Sequence, residues 1–188
     1  MKKNNGNKKG GSYERKIAKK FSLWLSGGKR DDLFWRTHGS GARDKVRMDK
    51  GLITEGQDGD MASTSQSYES ISFRSLFTIE IKFYRDVNIW GLLTLSNRGL
   101  IEFWNEVEYQ AEYSHKHPIL IIKENYRPDL LISDGFFEKN IRDYFNIDYR
   151  IKSKVNNTII YIWKLSDIFE LDYLQFHYMI DKLLKERN

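Results

Sequence analysis

The chain has 188 residues, 40% of them hydrophobic and 14% aromatic, which suits the core of one domain rather than two. No apolar run approaches the length of a membrane span, no secretory-type apolar segment follows the N-terminus, and the absence of cysteine excludes disulfides and Cys-based zinc sites. The lack of cysteine makes an intracellular, cytoplasmic protein the simplest expectation, and the net charge of +5 is uneven, +9 over residues 1–30 and −4 over the rest, a basic end on a slightly acidic body that suits a polyanion such as nucleic acid.

Residues 1–11 (MKKNNGNKKGG) are polar, Gly-rich and basic, and are expected to be a disordered tail ahead of one domain over residues 12–188. Ser12 is a plausible N-cap for a helix to about Ser26, with an apolar stripe of Tyr13, Ile17, Ala18, Phe21, Trp24 and Leu25, ended by Gly27-Gly28. Glu14 in the first turn complements the helix dipole. Leu33–His38 reads as a short aromatic strand. It runs into Gly39-Ser40-Gly41-Ala42-Arg43, where glycines permit close backbone approach and Ser40 and Arg43 supply phosphate-binding groups. Asp44–Gly59 reads as a mobile loop, Asp60–Ser63 as a second strand, and Leu76–Phe83 as a third after a turn near Ser67–Glu69. In that third strand Ile79, Ile81 and Phe83 alternate on one face and Thr78, Glu80 and Lys82 on the other. Taken alone, Glu80 and Lys82 are a charge pair on a half-exposed strand.

Tyr84–Asn97 reads as irregular. The spacing predicts a helix over Arg98–Tyr113, apolar at Ile101, Trp104, Val107 and Ala111 and polar at Glu102, Glu106, Glu108 and Glu112. Pro118–Lys123 fits a strand buried on both faces, so strand, helix and strand predict a right-handed parallel crossover. Tyr149–Val155 and Thr158–Leu165 form an expected hairpin turned by Asn156-Asn157, and Asp172–Glu186 a closing helix. The order predicts a mixed α/β fold, a central sheet flanked by helices. Trp24, Trp35, Trp104 and Trp163 read as core, with Trp90 left open as a stacking residue. His115 and His117 read as a surface turn, and His38 as strand-end packing or a phosphate contact.

If Asp60 opens the strand beside Glu80 and Lys82, two carboxylates share a polar cleft. Mg²⁺ suits such oxygen donors, since it keeps several waters and needs only one or two carboxylates plus phosphate oxygens. Lys82 could orient a water or hold negative charge on the transition state. The chemistry that follows is hydrolysis of a nucleic-acid backbone.

These residues resemble the PD-(D/E)xK nuclease superfamily, and within it archaeal-type Holliday-junction resolvases and related phage endonucleases. The matching residues are Gly11-x-x-Glu14-Arg15, Arg36-x-x-Gly39-Ser40-Gly41, Gly59-Asp60, Ile79-Glu80-Ile81-Lys82 and the Pro-led strand from His117 to Lys123, over roughly residues 10–123. The resemblance implies a restriction-endonuclease-like fold, with the C-terminal hairpin and helix as an extension over residues 124–188. It implies Asp60 and Glu80 as metal ligands, Glu14 completing the metal site and Lys82 as the catalytic lysine. Mg²⁺ is the implied cofactor, with Mn²⁺ expected to substitute. Ser40 would sit near the scissile phosphate, with Arg36, Arg43 and Arg15 as DNA contacts. The implied partner is branched or duplex DNA cut by a homodimer of bacterial or phage origin, away from any membrane. The family's Pro-Asp is Gly59-Asp60 here, and Asp58, two residues earlier, could serve from the same strand face. A restriction-type, nicking or end-processing nuclease of the same fold is the competing enzyme, and a DNA-binding or packaging-associated module without catalysis the competing non-enzyme.

Overall fold

In the computed structural model, which describes residues 5–37, 58–64, 67–85 and 98–187, the chain builds one five-stranded sheet between helices. The elements are α1 (Asn5–Leu25), β1 (Phe34–Arg36), β2 (Met61–Ser63), α2 (Tyr68–Leu76), β3 (Phe77–Tyr84), α3 (Arg98–Tyr113), β4 (His117–Glu124), β5 (Leu130–Ser133), α4 (Gly135–Phe145), β6 (Ile151–Val155), β7 (Thr158–Lys164), α5 (Leu165–Phe169) and α6 (Tyr173–Arg187). The sheet order is β3-β4-β5-β7-β6, and β1 and β2 form a separate antiparallel ribbon. β3 and β4 are parallel, as the strand-helix-strand pattern predicts, and the other pairings in the sheet are antiparallel.

Alternation along the strands divides the core in two. Phe77, Ile79, Ile81, Ile119, Ile121, Leu131 and Trp163 pack with Tyr13, Ile17 and Phe21 of α1, Phe73 of α2 and Phe176 of α6. Leu120, Ile122, Ile132, Ile160 and Ile162 turn the other way, onto Leu100, Trp104 and Val107 of α3. One face of the sheet thus carries several helices and the other carries α3. In β3 this leaves Thr78, Glu80 and Lys82 on the α3 side.

Four expectations change. The helix expected from Ser12 begins at Asn5, so residues 5–11 open α1 instead of forming a disordered tail. Gly10 and Gly11 do not break it, because a helix tolerates glycine at about 1 kcal/mol each and the packed stripe beyond supplies far more. The turn near Ser67 is an N-cap: its hydroxyl accepts from Ser70 N–H and opens α2. The hairpin β6–β7 is no appendage, since β7 pairs with β5 and completes the central sheet. Last, Trp35 points out of the ribbon and is 60% exposed, whereas Trp104 and Trp163 are fully buried and Trp24 packs at the core edge. Trp90 and His38 lie outside the described residues.

Candidate active site

The site lies along β3, which forms one edge of the sheet, and draws on four segments far apart in sequence. Glu80 is buried at 3% exposure, and its Oε1 accepts from Lys82 Nζ at 2.5 Å. Lys82 also pairs with Glu106 Oε2 at 2.9 Å, from α3 packed against the same face. Glu106 is one of the polar positions read in that helix, to which the sequence assigned no role. It belongs to a stripe with Gln110 and Ser114, at four-residue spacing along the side of the helix that meets β3 and the 58–60 segment.

The second segment, Asp58-Gly59-Asp60, runs alongside β3. Asp60 N–H donates to Ile79 O at 2.8 Å, and Ile81 N–H donates to Asp60 Oδ2 at 2.9 Å, which fixes the carboxylate beside Glu80. Gly59 is held from both sides, its N–H donating to Gln110 Oε1 at 2.9 Å and its carbonyl accepting from Thr37 Oγ1 at 2.8 Å. Its φ of +74° lies in the left-handed region, and a Cβ there would meet Ile79 O at 2.3 Å. That conformation also excludes the proline of the family motif, whose ring fixes φ near −65°.

The left-handed glycine breaks strand alternation, so Asp58 and Asp60 do not share a face as the two-residue spacing suggests. Asp58 is buried away from the cleft. Its carboxylate pairs with Arg74 at 2.9 Å and Lys116 at 2.8 Å, and accepts from Thr78 Oγ1 at 2.6 Å. Of the two, Asp60 alone lines the cleft. Arg74 also donates to the carbonyls of Phe77 and Asp58, clamping the segment to the start of β3. Of the segment expected as a mobile loop, residues 58 and 59 are buried and bonded, and residues 44–57 lie outside the described residues.

The third and fourth segments are α1 and β1. Glu14 is buried at 8% exposure and forms an ion pair with Arg36, whose guanidinium lies over Gly11. Glu14, Arg36, Asp60, Glu80, Lys82 and Glu106 therefore share one open cleft of about 850 Å³. Of the other expected DNA contacts, Arg15 is exposed on α1 and does not line the cleft, while Ser40 and Arg43 lie outside the described residues.

Electrostatics mark the cleft as anionic and strained. Burial pushes the Glu80 carboxyl well above the usual carboxylate range, and the charge of Asp60 adds to it, against the pull of Lys82. Glu14 is raised for the same two reasons, burial and Asp60, with Arg36 opposing. Burial works against the Lys82 ammonium, but Glu80 and Glu106 outweigh it and hold it above the ordinary lysine range. Two carboxylates thus favour the ammonium form of Lys82, the form that can hold negative charge.

Among the described residues no three His, Asp or Glu side chains stand in an arrangement that coordinates a metal. The acids are engaged by the protein's own donors: Glu14 by Arg36, Glu80 by Lys82 and Asp60 by the Ile81 N–H. The donor set still fits a hard divalent cation. It consists of carboxylate oxygens, with Asp60 and Glu80 repelling one another at a buried position that a positive ion would relieve. The residues missed in the sequence are Glu106, Gln110, Arg74 and Lys116. The spacing of Glu106, Gln110 and Ser114 was readable, but nothing in it says that this side of α3 faces inward.

His115 sits in a turn, with φ of 54°, as expected. His117 does not: its ring stacks on Phe136 at 3.6 Å and bonds Asp134, the N-cap of α4.

A family model described as "Phage putative PDDEXK endonuclease" matches residues 5–176, well past the end of β4 at Glu124. The mixed sheet flanked by helices agrees with the restriction-endonuclease-like fold of such enzymes. No curated protein and no solved structure matches the chain.

Proposed function

The chain belongs to this family of phage PD-(D/E)xK endonucleases, and on that footing we propose a Mg²⁺-dependent DNA endonuclease, selective for branched DNA and active as a homodimer. The observation that carries the reading is the convergence of Glu14, Asp60, Glu80 and Lys82 from three separated segments on one cleft. A solvated surface charge pair would need only Glu80 and Lys82, and would not need them buried.

Asp60 and Glu80 would hold the ion, with Glu14 directly or through water. When bound, Mg²⁺ polarises a phosphodiester and acidifies a water molecule. The protein's own residues do the rest. The Ile81 N–H and the clamp on Gly59 aim the Asp60 carboxylate into the cleft. Lys82 has two carboxylate seats, Glu80 and Glu106, so it can release Glu80 while remaining in place. As a fixed ammonium it stabilises negative charge developing on the phosphate. Arg36 holds Glu14 and brings a guanidinium to the same cleft, where it can meet a phosphate. A two-fold dimer would present two such clefts to the symmetric strands of a junction.

The test compares a four-way junction, a flap and linear duplex with wild type, Glu80→Ala and Lys82→Ala in Mg²⁺. Cleavage fastest on the junction is expected, with each variant slower by about a hundredfold or more, and a dimeric mass by light scattering. Robust cleavage by both variants would overturn the assignment of this cleft as the active site, no cleavage by wild type would overturn the nuclease reading, and equal rates on all three substrates would remove the selectivity.

A further inference from the structure

The turn between β4 and β5 stands at the cleft and takes no part in the acid cluster. It runs Glu124-Asn125-Tyr126-Arg127, closed by Arg127 N–H donating to Glu124 O at 3.2 Å. In the parallel register of β3 and β4, Tyr84 lies opposite Glu124, so the turn leaves the sheet beside the end of β3. Tyr84, Arg85 and Asn125 line the cleft together with Glu80 and Lys82.

Tyr126 follows Asn125 with φ of 61°, a conformation that glycine or asparagine adopts readily and tyrosine does not. Its side chain is fully exposed, at 103%, so packing returns nothing for the strained backbone. Lys123 stiffens the turn from behind, donating to Arg127 O at 2.7 Å and pairing with Asp129 at 2.9 Å. Tyr84, half exposed, is braced by Phe103 with ring centroids 4.7 Å apart. Arg85, next after Tyr84, and Arg127, next after Tyr126, are both exposed. Non-glycine residues held at positive φ cluster at functional sites, and this one stands in a turn whose Asn125 lines the cleft.

We propose that Tyr126 is a base-stacking post that, flanked by Arg85 and Arg127, grips an unpaired nucleotide next to the scissile phosphate. An aromatic ring can stack only on a base whose own face is free, and in continuous duplex both faces of each base are covered by neighbours. The substrate class is therefore DNA with an unstacked base close to the cut: a branch point, a flap or a single-stranded end. This deepens the nuclease reading and rests on it.

The experiment uses the full chain carrying Lys82→Ala, in Mg²⁺, with 2-aminopurine placed beside the branch point of a flap and, separately, within linear duplex. The flap should bind with quenched fluorescence. Adding Tyr126→Ala should remove the quench and weaken flap binding about tenfold, while duplex binding moves less than twofold; Tyr126→Phe should behave as the parent. Tyr126→Gly relieves the backbone, so it should melt no lower than the parent yet still lose the quench, which separates stacking from folding. Unchanged flap binding by Tyr126→Ala, or an equal loss on duplex, overturns the inference while Mg²⁺-dependent cleavage by wild type leaves the nuclease reading standing. A parent that binds no DNA overturns the inference, and wild type that also cleaves none overturns both.

Discussion

Asp58 and Asp60 show how two like residues, two positions apart, acquire unrelated work. Asp60 faces another carboxylate, while Asp58 faces only cations and a hydroxyl. Burial alone would push the Asp58 carboxyl up, but Arg74, Lys116 and Thr78 outweigh it and lower it from 3.8 to about 2. A carboxyl depressed on folding contributes stability that is fully present above its unfolded value and is lost as pH falls through the folded one. The window is therefore about pH 4 down to pH 2, and the amount on the order of 2 kcal/mol. Asp58→Asn should lose that acid limb, and at pH 7 it should cost roughly 3–5 kcal/mol, because Arg74 and Lys116 remain buried without their counter-charge. Urea titrations of both proteins at pH 7, 4 and 2.5 check this. An acid limb unchanged in the variant would show that other carboxylates set it.

At the scale of elements, α1 carries a site residue and also closes the cleft. Its Gly11 leaves room for the Arg36 guanidinium, which a Cβ would meet at 2.9 Å. Gly11→Ala should raise intrinsic helix stability by up to about 1 kcal/mol while pushing Arg36 off Glu14. The expected outcome is a melting temperature that does not fall and a kcat/KM lowered roughly tenfold or more, read by calorimetry and by single-turnover cleavage. A parallel fall of both would mean the helix itself is disturbed. The same element shows what was legible in the chain. The buried stripe from Tyr13 to Leu25 is plain in the sequence, as are the alternation of β3, the heavy apolar run of β4 and the stripe of α3. The start of α1 was not, because consecutive glycines signal a break and their use here, close approach of a side chain, exists only in three dimensions. α2 was hidden because its nine residues offer just Phe73 and Leu76 as large buried apolar side chains, the third large buried one being Arg74. The separation of Asp58 from Asp60 was hidden because it depends on the sign of one dihedral angle, that of Gly59.

At the scale of the whole molecule, the acid cluster lies within residues 14–82, but the fold that supports it does not end there. β4, the only partner of β3 in the main sheet among the described residues, pairs on its other side with β5, which is followed across the sheet by β7 and β6. Fourteen buried hydrophobic side chains, from Leu131 to Ile180, lie beyond Glu124 among the described residues. At roughly 2 kcal/mol for each fully buried side chain, their removal exceeds the 5–15 kcal/mol by which a domain is ordinarily stable. Trp104 on α3 would lose Ile132, Ile160 and Ile162 from its cluster, and Phe21 and Trp24 on α1 would lose Phe169, with Trp24 losing Phe176 as well. The Lys82–Glu106 pair depends on α3 staying seated. A chain ending at Glu124, although it holds the acid cluster and Lys82, should therefore fail to melt cooperatively and should show collapsed amide dispersion by NMR, with no cleavage to measure. A dispersed spectrum and a cooperative melt for that fragment would show instead that the strands beyond β4 are an accessory, and that β3, β4 and α3 hold the cleft by themselves.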